Sequence, residues 1–241
     1  MAAQYTRPAL AGTIDFPPQK KQMMNIPRDH KAESIREFNR SADDYDTQSP
    51  FYYRMTRLCD DAVIARISSL QKPTLRILDV GCGTGALLEK VRHAFPDAVL
   101  HGIDISPNML AVARSKNLRD VVLDEGDAEN LPYANRSFDI ITCCSSFHHY
   151  PNPQKALAEF QRVARPAGTL IICDMDLPDA ARLIANHILF PLQKKGDVHV
   201  YTHWEIKQLL INQGWKYCRV NRITPVEWIA IGTAPIHAPT S

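Results

Sequence analysis

The chain has 241 residues, with 28 Lys and Arg against 26 Asp and Glu and a formal net charge of +2 at pH 7. This length suits one α/β domain with a substantial core, and the small net charge argues against a nucleic-acid-binding surface. No apolar run approaches the ~20 residues of a membrane-spanning helix. We therefore expect a globular protein that binds neither nucleic acid nor a membrane.

The six cysteines are spread through the chain without any C-x-x-C pair, so a structural zinc site is not expected. Cys143 and Cys144 are adjacent in a predicted strand and should point to opposite sides, which opposes joint metal binding. Three of the four thiols between Cys82 and Cys173 lie in apolar strand patterns, which suggests small buried residues in a reducing compartment. Because the N-terminus also lacks the pattern of a secretory signal, we predict a cytoplasmic protein without a bound metal.

The chain divides by pattern into three parts. Residues 1–29 contain four prolines and no sustained hydrophobic period, which predicts a loosely ordered leader. Residues 30–70 have apolar side chains at helical spacing and predict a helical cap. Residues 71–241 are predicted to form one domain with a strand–helix rhythm and a small, apolar, helix-like insertion at 175–200.

A glycine-rich turn follows the first predicted strand, 75–80. Residues 79–85 read Asp-Val-Gly-Cys-Gly-Thr-Gly, and a helical pattern follows. Strand, glycine turn and helix form the opening unit of a doubly wound α/β sheet, whose helix N-terminus faces a ligand. The glycine spacing also fits a dinucleotide fingerprint, but Asp79 separates the two interpretations. A carboxylate at this position attracts an ammonium or sulfonium group and repels a pyrophosphate.

The second predicted strand, 99–104, ends in Asp104, 23 residues after Gly81. An acidic residue at such a position can accept hydrogen bonds from both ribose hydroxyls. This role suits any adenosine-bearing ligand and does not choose among them. Ser106 is predicted to cap the next helix, and Pro107 suits its first position.

Three more strands are predicted in the middle of the chain, at 121–123, 138–144 and 169–174, with a helix at 154–164. Cys144 ends the second of these at the edge where open α/β sheets bind ligands. Asp139 begins the same strand at the opposite edge, and we expect a structural role for it. Near the C-terminus, Thr202 and Glu205 form a capping box for a helix through 211, and two last strands follow near 217–223 and 227–232.

Four segments of the sequence resemble the class I S-adenosylmethionine-dependent methyltransferases. Residues 79–85 match the family's Asp/Glu-x-Gly-x-Gly-x-Gly motif, and residues 126–132, Gly-Asp-Ala-Glu-Asn-Leu-Pro, resemble its Gly-Asp-Ala-x-x-Leu-Pro segment. Residues 138–150 resemble its Phe-Asp strand followed by His-His, and residues 38–46 resemble its Phe-x-x-x-Ala-x-x-Tyr-Asp element. The resemblance covers roughly residues 36–232.

The resemblance implies a fold, a cofactor and an acceptor class. The fold is a Rossmann-like, seven-stranded, doubly wound α/β sheet with an antiparallel last strand and an N-terminal helical cover. The cofactor is S-adenosyl-L-methionine, and the acceptor is a small molecule. Asp127 would accept a hydrogen bond from the adenine amino group, and Tyr45 would contact the methionine half or the substrate, or merely pack the cap. The implied cofactor-binding residues are Tyr45, Asp79, Gly81, Cys82, Gly83, Asp104, Ile105, Asp127, Ala128 and Cys144.

Two histidines, His148 and His149, follow the predicted strand 138–144, where an acceptor should lie. An imidazole titrates near neutrality, so either could act as a base or orient a hydroxyl; alternatively, they bond the loop backbone. Family register favours His149 facing inward. Four further side chains could line the pocket or pack in the core, namely Tyr150, His187, Phe190 and Trp204.

Two other functions fit parts of the pattern. An NAD-type oxidoreductase fits the glycine spacing, but Asp79 and the segment 126–132 oppose it. A binding protein that keeps the cofactor pocket without transferring a methyl group fits the whole sequence. The acceptor atom, whether oxygen, nitrogen, sulfur or carbon, is not predicted.

Overall fold

A computed structural model describes residues 28–47, 50–70, 72 and 74–236. Seven strands form one sheet, with helices on both faces. The strands are β1 (Arg76–Val80), β2 (Val99–Asp104), β3 (Val121–Glu125), β4 (Phe138–Cys144), β5 (Ala164–Met175), β6 (Lys216–Thr224) and β7 (Glu227–Thr233). The α-helices are α1 (His30–Ser41), α2 (Pro50–Ser68), α3 (Ala86–Ala94), α4 (Pro107–Ser115), α5 (Pro153–Val163), α6 (Asp179–Ile184), α7 (Phe190–Gln193) and α8 (His203–Asn212).

The strand order is β3-β2-β1-β4-β5-β7-β6. The pairs from β3 to β5 are parallel, and β7 runs antiparallel to both β5 and β6. This order confirms the predicted Rossmann-like sheet with an antiparallel last strand. The chain reverses its direction of progress across the sheet between β1 and β4, and open α/β sheets bind ligands at the carboxyl ends of the strands beside such a point.

Two apolar cores lie on opposite faces of the sheet because neighbouring side chains of a strand alternate. Ile77 faces the core that α2 and α3 cover, where it joins Val63 and Val91. Leu78 faces the other core, where Leu157 and Phe160 of α5 are fully buried. Burial of both faces explains why β1 and β4 read as continuous apolar runs rather than alternating patterns.

Two strands are longer than predicted. β3 continues to Glu125, and β5 begins at Ala164, where it pairs with Phe138, instead of at residue 169. Residues 165–168, between the predicted helix and strand, lie within β5 as a local irregularity, with Ala167 at φ +58°. Pro166 and Gly168 favour a turn, whereas pairing with β4 holds the backbone extended on both sides of the irregularity.

The predicted insertion contains α6, a π-helical turn at Ala185–Leu189 and α7. Its apolar residues are mostly on the surface instead of in a core; Leu183, Ile184, Ile188, Leu189 and Leu192 are all exposed. Phe190 is buried, as predicted for core packing, whereas Trp204 is 70% exposed and packs in neither a core nor a pocket wall. The predicted capping box of α8 is present, with the side chains of Thr202 and Glu205 each accepting a backbone N–H of the other.

Both α1 and α2 lie within the predicted helical cap, 30–70, and α1 begins at a cap in which Asp29 Oδ1 accepts Ala32 N–H at 3.0 Å. The predicted leader, 1–29, lies outside the described residues except for its last two, and the domain boundaries stay predictions. The six cysteines are free thiols. In the described part of the chain, every helix is too short or too polar to cross a bilayer.

Candidate active site

Two adjoining cavities open at the carboxyl ends of β1, β2 and β4. The larger has a volume of about 910 Å³ and the smaller about 60 Å³. Both are lined by Phe38 from α1, Gly81 from the turn after β1, Asp104 from the end of β2, and Ser146 from the loop after β4. The cavities therefore form one cleft at the point where the strand order reverses, with α1 over it.

All of the residues predicted to bind a cofactor line this cleft. Those around the larger cavity are Tyr45, Asp79, Gly81, Cys82, Gly83, Asp104 and Cys144. Those around the smaller cavity are Gly81, Asp104, Ile105, Asp127 and Ala128. The sequence thus located the lining of the cleft, although a contact of each residue with a cofactor stays a prediction.

The turn after β1 has a backbone that only glycine adopts easily. Gly81, Gly83 and Gly85 have φ values of +71°, +52° and +77°. A Cβ on Gly81 would lie 2.0 Å from Ser146 Oγ, whereas a Cβ on Gly83 would meet no described atom within 4 Å. No neighbour in the protein therefore needs the space beside Gly83. The missing side chain instead leaves the backbone open to a ligand.

Asp79 lies at the floor of the larger cavity and is only 3% exposed. Its Oδ1 accepts a hydrogen bond from Thr142 Oγ1 at 2.7 Å. The pKa of this carboxyl is raised to about 7, mainly by burial and also by the nearby carboxylates of Asp60 and Asp104. The hydrogen bond from Thr142 acts in the opposite direction. A cation placed in the cavity would favour the ionised form of Asp79.

Asp104 holds the glycine turn against the start of α4. Its Oδ2 accepts the N–H of Gly83 at 2.8 Å, and its Oδ1 accepts the N–H of Ser106 at 2.8 Å. Burial raises the pKa of this carboxyl, and the backbone donors partly offset the rise. Each carboxylate oxygen accepts about two hydrogen bonds, so Asp104 retains capacity for hydroxyl donors.

The floor of the larger cavity is acidic. Asp60, Asp79 and Asp104 all line it and are all buried, and Lys90 pairs with Asp60 at 3.0 Å. Two of these carboxylates have no cation beside them among the described residues. In a site of low dielectric this arrangement attracts a positively charged group and repels phosphates.

The segment after α1 is fastened to the glycine turn. Asp46 accepts a hydrogen bond from Thr84 Oγ1 at 2.7 Å and pairs with Lys116 Nζ at 2.9 Å. Tyr45, the preceding residue, lines the larger cavity with its ring 6.2 Å from that of Phe38. The segment resembling the family's Phe-x-x-x-Ala-x-x-Tyr-Asp element therefore covers the cleft.

Asp127, predicted to accept an adenine amino group, pairs with Lys31 of α1 in this structure. Lys31 Nζ lies 2.7 Å from Asp127 Oδ2 and 2.6 Å from Glu129 Oε2. The second oxygen of Asp127 accepts Glu129 N–H at 2.9 Å. Lys31 thus fastens α1 to the segment 126–132. Each oxygen of Asp127 can still accept a further hydrogen bond.

The two predicted catalytic histidines lie in a 3-10 turn, Phe147–His149. His148 is buried and lines neither cavity; its Nδ1 donates to Asp174 Oδ1 at 2.7 Å, and its backbone N–H donates to Asp174 Oδ2 at 2.9 Å. Burial lowers the pKa of His148, but Asp174 and Asp197 outweigh this effect and raise it. Its ring is therefore held in one orientation.

His149 lines the smaller cavity, and its ring packs edge-on against Phe38 with centroids 4.9 Å apart. The Nδ1 atom is buried and has no hydrogen-bond partner in the described part of the chain. Burial and the neighbouring His148 hold the pKa of His149 well below its usual range. His149 is therefore neutral at physiological pH.

The loop after β4 also places Tyr150 at the smaller cavity. Its hydroxyl lies 2.9 Å from Ser146 Oγ and 3.5 Å from Cys143 Sγ. Cys144 points instead into the larger cavity, as expected for neighbours in a strand. A hydrogen bond with Cys173 lowers its pKa, but burial and Asp79 raise it to about 12, so Cys144 remains a thiol.

Four residues of this region were not predicted from the sequence, namely Lys31, Thr142, Asp174 and Asp197. An acidic residue at the carboxyl end of a buried strand marks a ligand edge, and this signal, used for Asp104, applies equally to Asp174 near the end of β5. Asp197 lies after α7, near the end of the insertion, and comes within 3.7 Å of both histidines. Its position depends on long-range packing that spacing alone does not encode.

Comparison with known proteins gives the site a context. Residues 78–172 match the model of a family described as "Methyltransferase domain". The demethylmenaquinone methyltransferase of Thermotoga maritima is 30% identical over 183 residues, which are 72% of this chain and 79% of that enzyme. The demethylmenaquinone methyltransferase of Deinococcus radiodurans is 33% identical over 134 residues, which are 52% of this chain and 56% of that enzyme. The chain thus spans little more than half the length of the second relative.

The fold has solved counterparts as well. The YcgJ protein from Bacillus subtilis aligns with a TM-score of 0.61 at 21% identity, over 73% of this chain and 98% of that one. An alignment at this identity supports the fold and leaves the chemistry to the site itself.

Proposed function

Because this chain belongs to the class I S-adenosylmethionine-dependent methyltransferases, we propose that its cleft holds the cofactor along the carboxyl ends of β1 and β2. In this proposal the methionine half lies in the larger cavity over Asp79 and the bare turn at Gly81 and Gly83. Asp104 accepts the ribose hydroxyls. The adenine ring lies at the Ile105 and Asp127 side of the smaller cavity, and the side lined by His149 and Tyr150 is left to the acceptor.

The observation that carries this proposal is the acidic floor of the larger cavity. Asp60, Asp79 and Asp104 are buried together there, and the open space over Gly83 gives a ligand access to the backbone. The cofactor carries an ammonium and a sulfonium, and both suit this floor. A pyrophosphate would be repelled, so an NAD-dependent oxidoreductase is not favoured.

S-adenosylmethionine supplies a methyl group that is already activated on a positively charged sulfur. The protein must therefore exclude water and hold the acceptor in line with that methyl group, and positioning of this kind can contribute roughly 7–11 kcal/mol in ideal cases. The cover formed by α1, with Phe38 and Tyr45, provides the exclusion. The loop after β4 provides the acceptor end of the cleft. Cys82, which is buried, and Cys144, which is partly buried, add small side chains to the wall.

The acceptor is a small molecule, and we propose one with an apolar body and a ring hydroxyl or ring carbon to be methylated. Two relatives are named for the methylation of demethylmenaquinone. The insertion supports an apolar body, because it exposes Leu183, Ile188 and Leu192 and is joined to the residues before α1 by a hydrogen bond from Arg28 Nη1 to Phe190 O at 2.7 Å. His149 is the proposed acceptor-facing side chain, and His148 is its buried support; proton removal by His149 stays a prediction.

Two measurements test this function. Calorimetry should detect binding of S-adenosylhomocysteine and no comparable binding of NAD, and the reverse result would contradict the proposed cofactor. Incubation with labelled cofactor and a reduced demethylmenaquinone analogue should then give a labelled lipid-soluble product. Binding of S-adenosylhomocysteine without transfer to this analogue or to a cell extract would support a binding protein instead.

A further inference from the structure

Three potential metal ligands converge beside the acceptor end of the cleft. Nε2 of His148 lies 3.6 Å from Asp197 Oδ1, and Nδ1 of His149 lies 3.7 Å from the same oxygen. The three ligand atoms all lie within 4.8 Å of one another. They come from a 3-10 turn after β4 and from the loop that follows α7, so the site joins two separate parts of the chain.

The separations are too long for hydrogen bonds, which require about 2.7–3.2 Å between nitrogen and oxygen. Ligands about 2.0–2.1 Å from a tetrahedral zinc ion are separated from one another by roughly 3.3–3.4 Å. The two separations from Asp197 Oδ1, 3.6 and 3.7 Å, therefore need only a few tenths of an ångström of closure to fit an ion, and the two histidine nitrogens lie within 4.8 Å of each other. The buried Nδ1 of His149 has no hydrogen-bond partner among the residues the structure describes. A bound ion would give this nitrogen a partner for its lone pair.

The surroundings orient His148 as a ligand. Its Nδ1 donates to the carboxylate of Asp174 at 2.7 Å, so Nε2, which lies 3.6 Å from Asp197 Oδ1, is the ring nitrogen left to bind an ion. A carboxylate on the second nitrogen of a metal-binding histidine fixes the tautomer and raises the basicity of the ligand. Asp174 is itself held, because it also accepts the backbone N–H groups of His148 and Met175.

We propose that His148 Nε2, His149 Nδ1 and Asp197 Oδ1 bind one divalent first-row transition ion, with zinc as the reference case. Two imidazoles and one carboxylate suit zinc, iron and related ions rather than magnesium or calcium, which prefer oxygen ligands. Three protein ligands leave at least one position for water or another oxygen. Spacing of the cysteines predicted no metal site, but this one uses no cysteine and depends on Asp197, which is 48 residues from the nearer histidine.

The site lies next to the proposed acceptor space but is distinct from the cofactor floor. His149 lines the smaller cavity, whereas Asp79 and the acidic floor line the larger one. Ion binding can therefore be measured without cofactor and without activity, so its failure is separable from failure of the proposed methyl transfer.

The direct experiment titrates untagged, chelator-treated full-length protein with Co²⁺, followed by its visible d–d absorption, and then displaces Co²⁺ with Zn²⁺. We expect one equivalent to bind with the intense bands of a low-coordinate nitrogen–oxygen site, and Mg²⁺ in large excess should not compete. Absence of these bands in the folded wild-type protein would overturn the proposal, whatever the variants do.

Variants locate the ion. His149→Ala and Asp197→Asn should each weaken Zn²⁺ binding more than ~100-fold, since loss of even a supporting group costs 10–100-fold. His203→Ala is the matched control, because His203 Nε2 contacts Asp176 Oδ2 at 3.1 Å and no third ligand joins this pair among the described residues, and it should keep the wild-type affinity. Retained affinity in a folded His149→Ala or Asp197→Asn protein would overturn the assignment. If one variant does not fold, the other decides.

Discussion

Asp79 of β1 and Thr142 of β4 face each other across the point where the strand order reverses, and Thr142 Oγ1 donates to Asp79 Oδ1 at 2.7 Å. The two residues are direct partners in the parallel ladder. The hydroxyl therefore fixes the carboxylate at the cavity floor. Burial without a paired cation is unfavourable for a carboxylate, which is why this position is suited to a positively charged ligand.

The first prediction concerns the stability of the Asp79→Asn variant. The folded-state pKa of Asp79 is about 7 against an ordinary value of 3.8, so the native state holds a proton that the unfolded state has lost. The stabilising contribution is present below about pH 4 and is lost as pH rises through about 7. The amide does not titrate. The free energy of unfolding, measured by urea denaturation, should therefore fall with pH in wild type but not through this residue in the variant. The difference, variant minus wild type, should increase by about 4 kcal/mol between pH 4 and pH 8.

A pH-independent difference between the two proteins would mean that Asp79 has no raised pKa. Any pH-independent cost of burying the amide changes the free energy of unfolding of the variant equally at pH 4 and at pH 8. The slope with pH is thus the quantity to measure, and it does not depend on how well the amide side chain replaces the carboxylate as the acceptor of the hydrogen bond from Thr142.

The second prediction compares alanine at two glycines of the turn. In Gly81→Ala the new Cβ would lie 2.0 Å from Ser146 Oγ, so overpacking should lower the free energy of unfolding by roughly 1–3 kcal/mol in addition to backbone strain. In Gly83→Ala only the strain at φ +52°, about 1–2 kcal/mol, should appear. The methyl group of Gly83→Ala would instead project into the ligand space.

Thermal unfolding and calorimetry with S-adenosylhomocysteine separate the two effects. Gly83→Ala should be the more stable of the two variants and yet bind the ligand at least tenfold more weakly than wild type. Normal affinity in Gly83→Ala would show that no ligand approaches the backbone at this position.

The third prediction concerns Asp104. Asp104→Ala should weaken binding of S-adenosylhomocysteine by about 1–3 kcal/mol, because hydrogen bonds from ribose hydroxyls to a charged acceptor are lost. Asp139→Ala is the matched control. Asp139 also accepts a backbone N–H, that of Arg76 at 3.1 Å, and pairs with Arg165, but it lies at the opposite edge of the sheet. We expect Asp139→Ala to lower stability and to leave the affinity unchanged; an unchanged affinity in Asp104→Ala would remove that residue from the site.

The fourth prediction concerns the cover. Lys31 is the cation beside both Asp127 and Glu129, and the side chain of Glu129 is only 2% exposed. Lys31→Met should leave Glu129 with the neutral donors of Asn152 alone and loosen α1 from the segment 126–132. Hydrogen exchange should rise in α1 more than in β1 or β4, and Lys31→Arg should restore protection. Equal protection in Lys31→Met and wild type would contradict a fastening role.

Much of the fold could be predicted because its signals are local. The apolar run of β1, Asp79 and the glycines stand within ten residues of one another, and their order alone predicts strand, turn and helix. Asp104 followed in the same way from its place at the end of β2. These positions depend on backbone geometry, which short-range sequence determines.

The rest depends on contacts that are distant in sequence. Lys31 meets Asp127 across 96 residues, and Asp197 reaches the histidines only because the segment after α7 folds back over the loop after β4. Its neighbour Val198 donates its backbone N–H to His148 O at 2.9 Å. Spacing carries no signal for either contact. The early start of β5 was missed for a related reason, since pairing with β4 overrides the turn preference of 165–168.

The most direct test of the account is the affinity for S-adenosylhomocysteine as a function of pH, measured by calorimetry for wild type and Asp79→Asn. Because the ammonium of the ligand requires an ionised Asp79, wild-type affinity should rise up to about tenfold per pH unit below a midpoint near 7 and then level off. Asp79→Asn should bind weakly, without this rise. Tight binding by Asp79→Asn with the pH dependence of wild type would contradict the claim that this buried carboxylate selects the cationic cofactor.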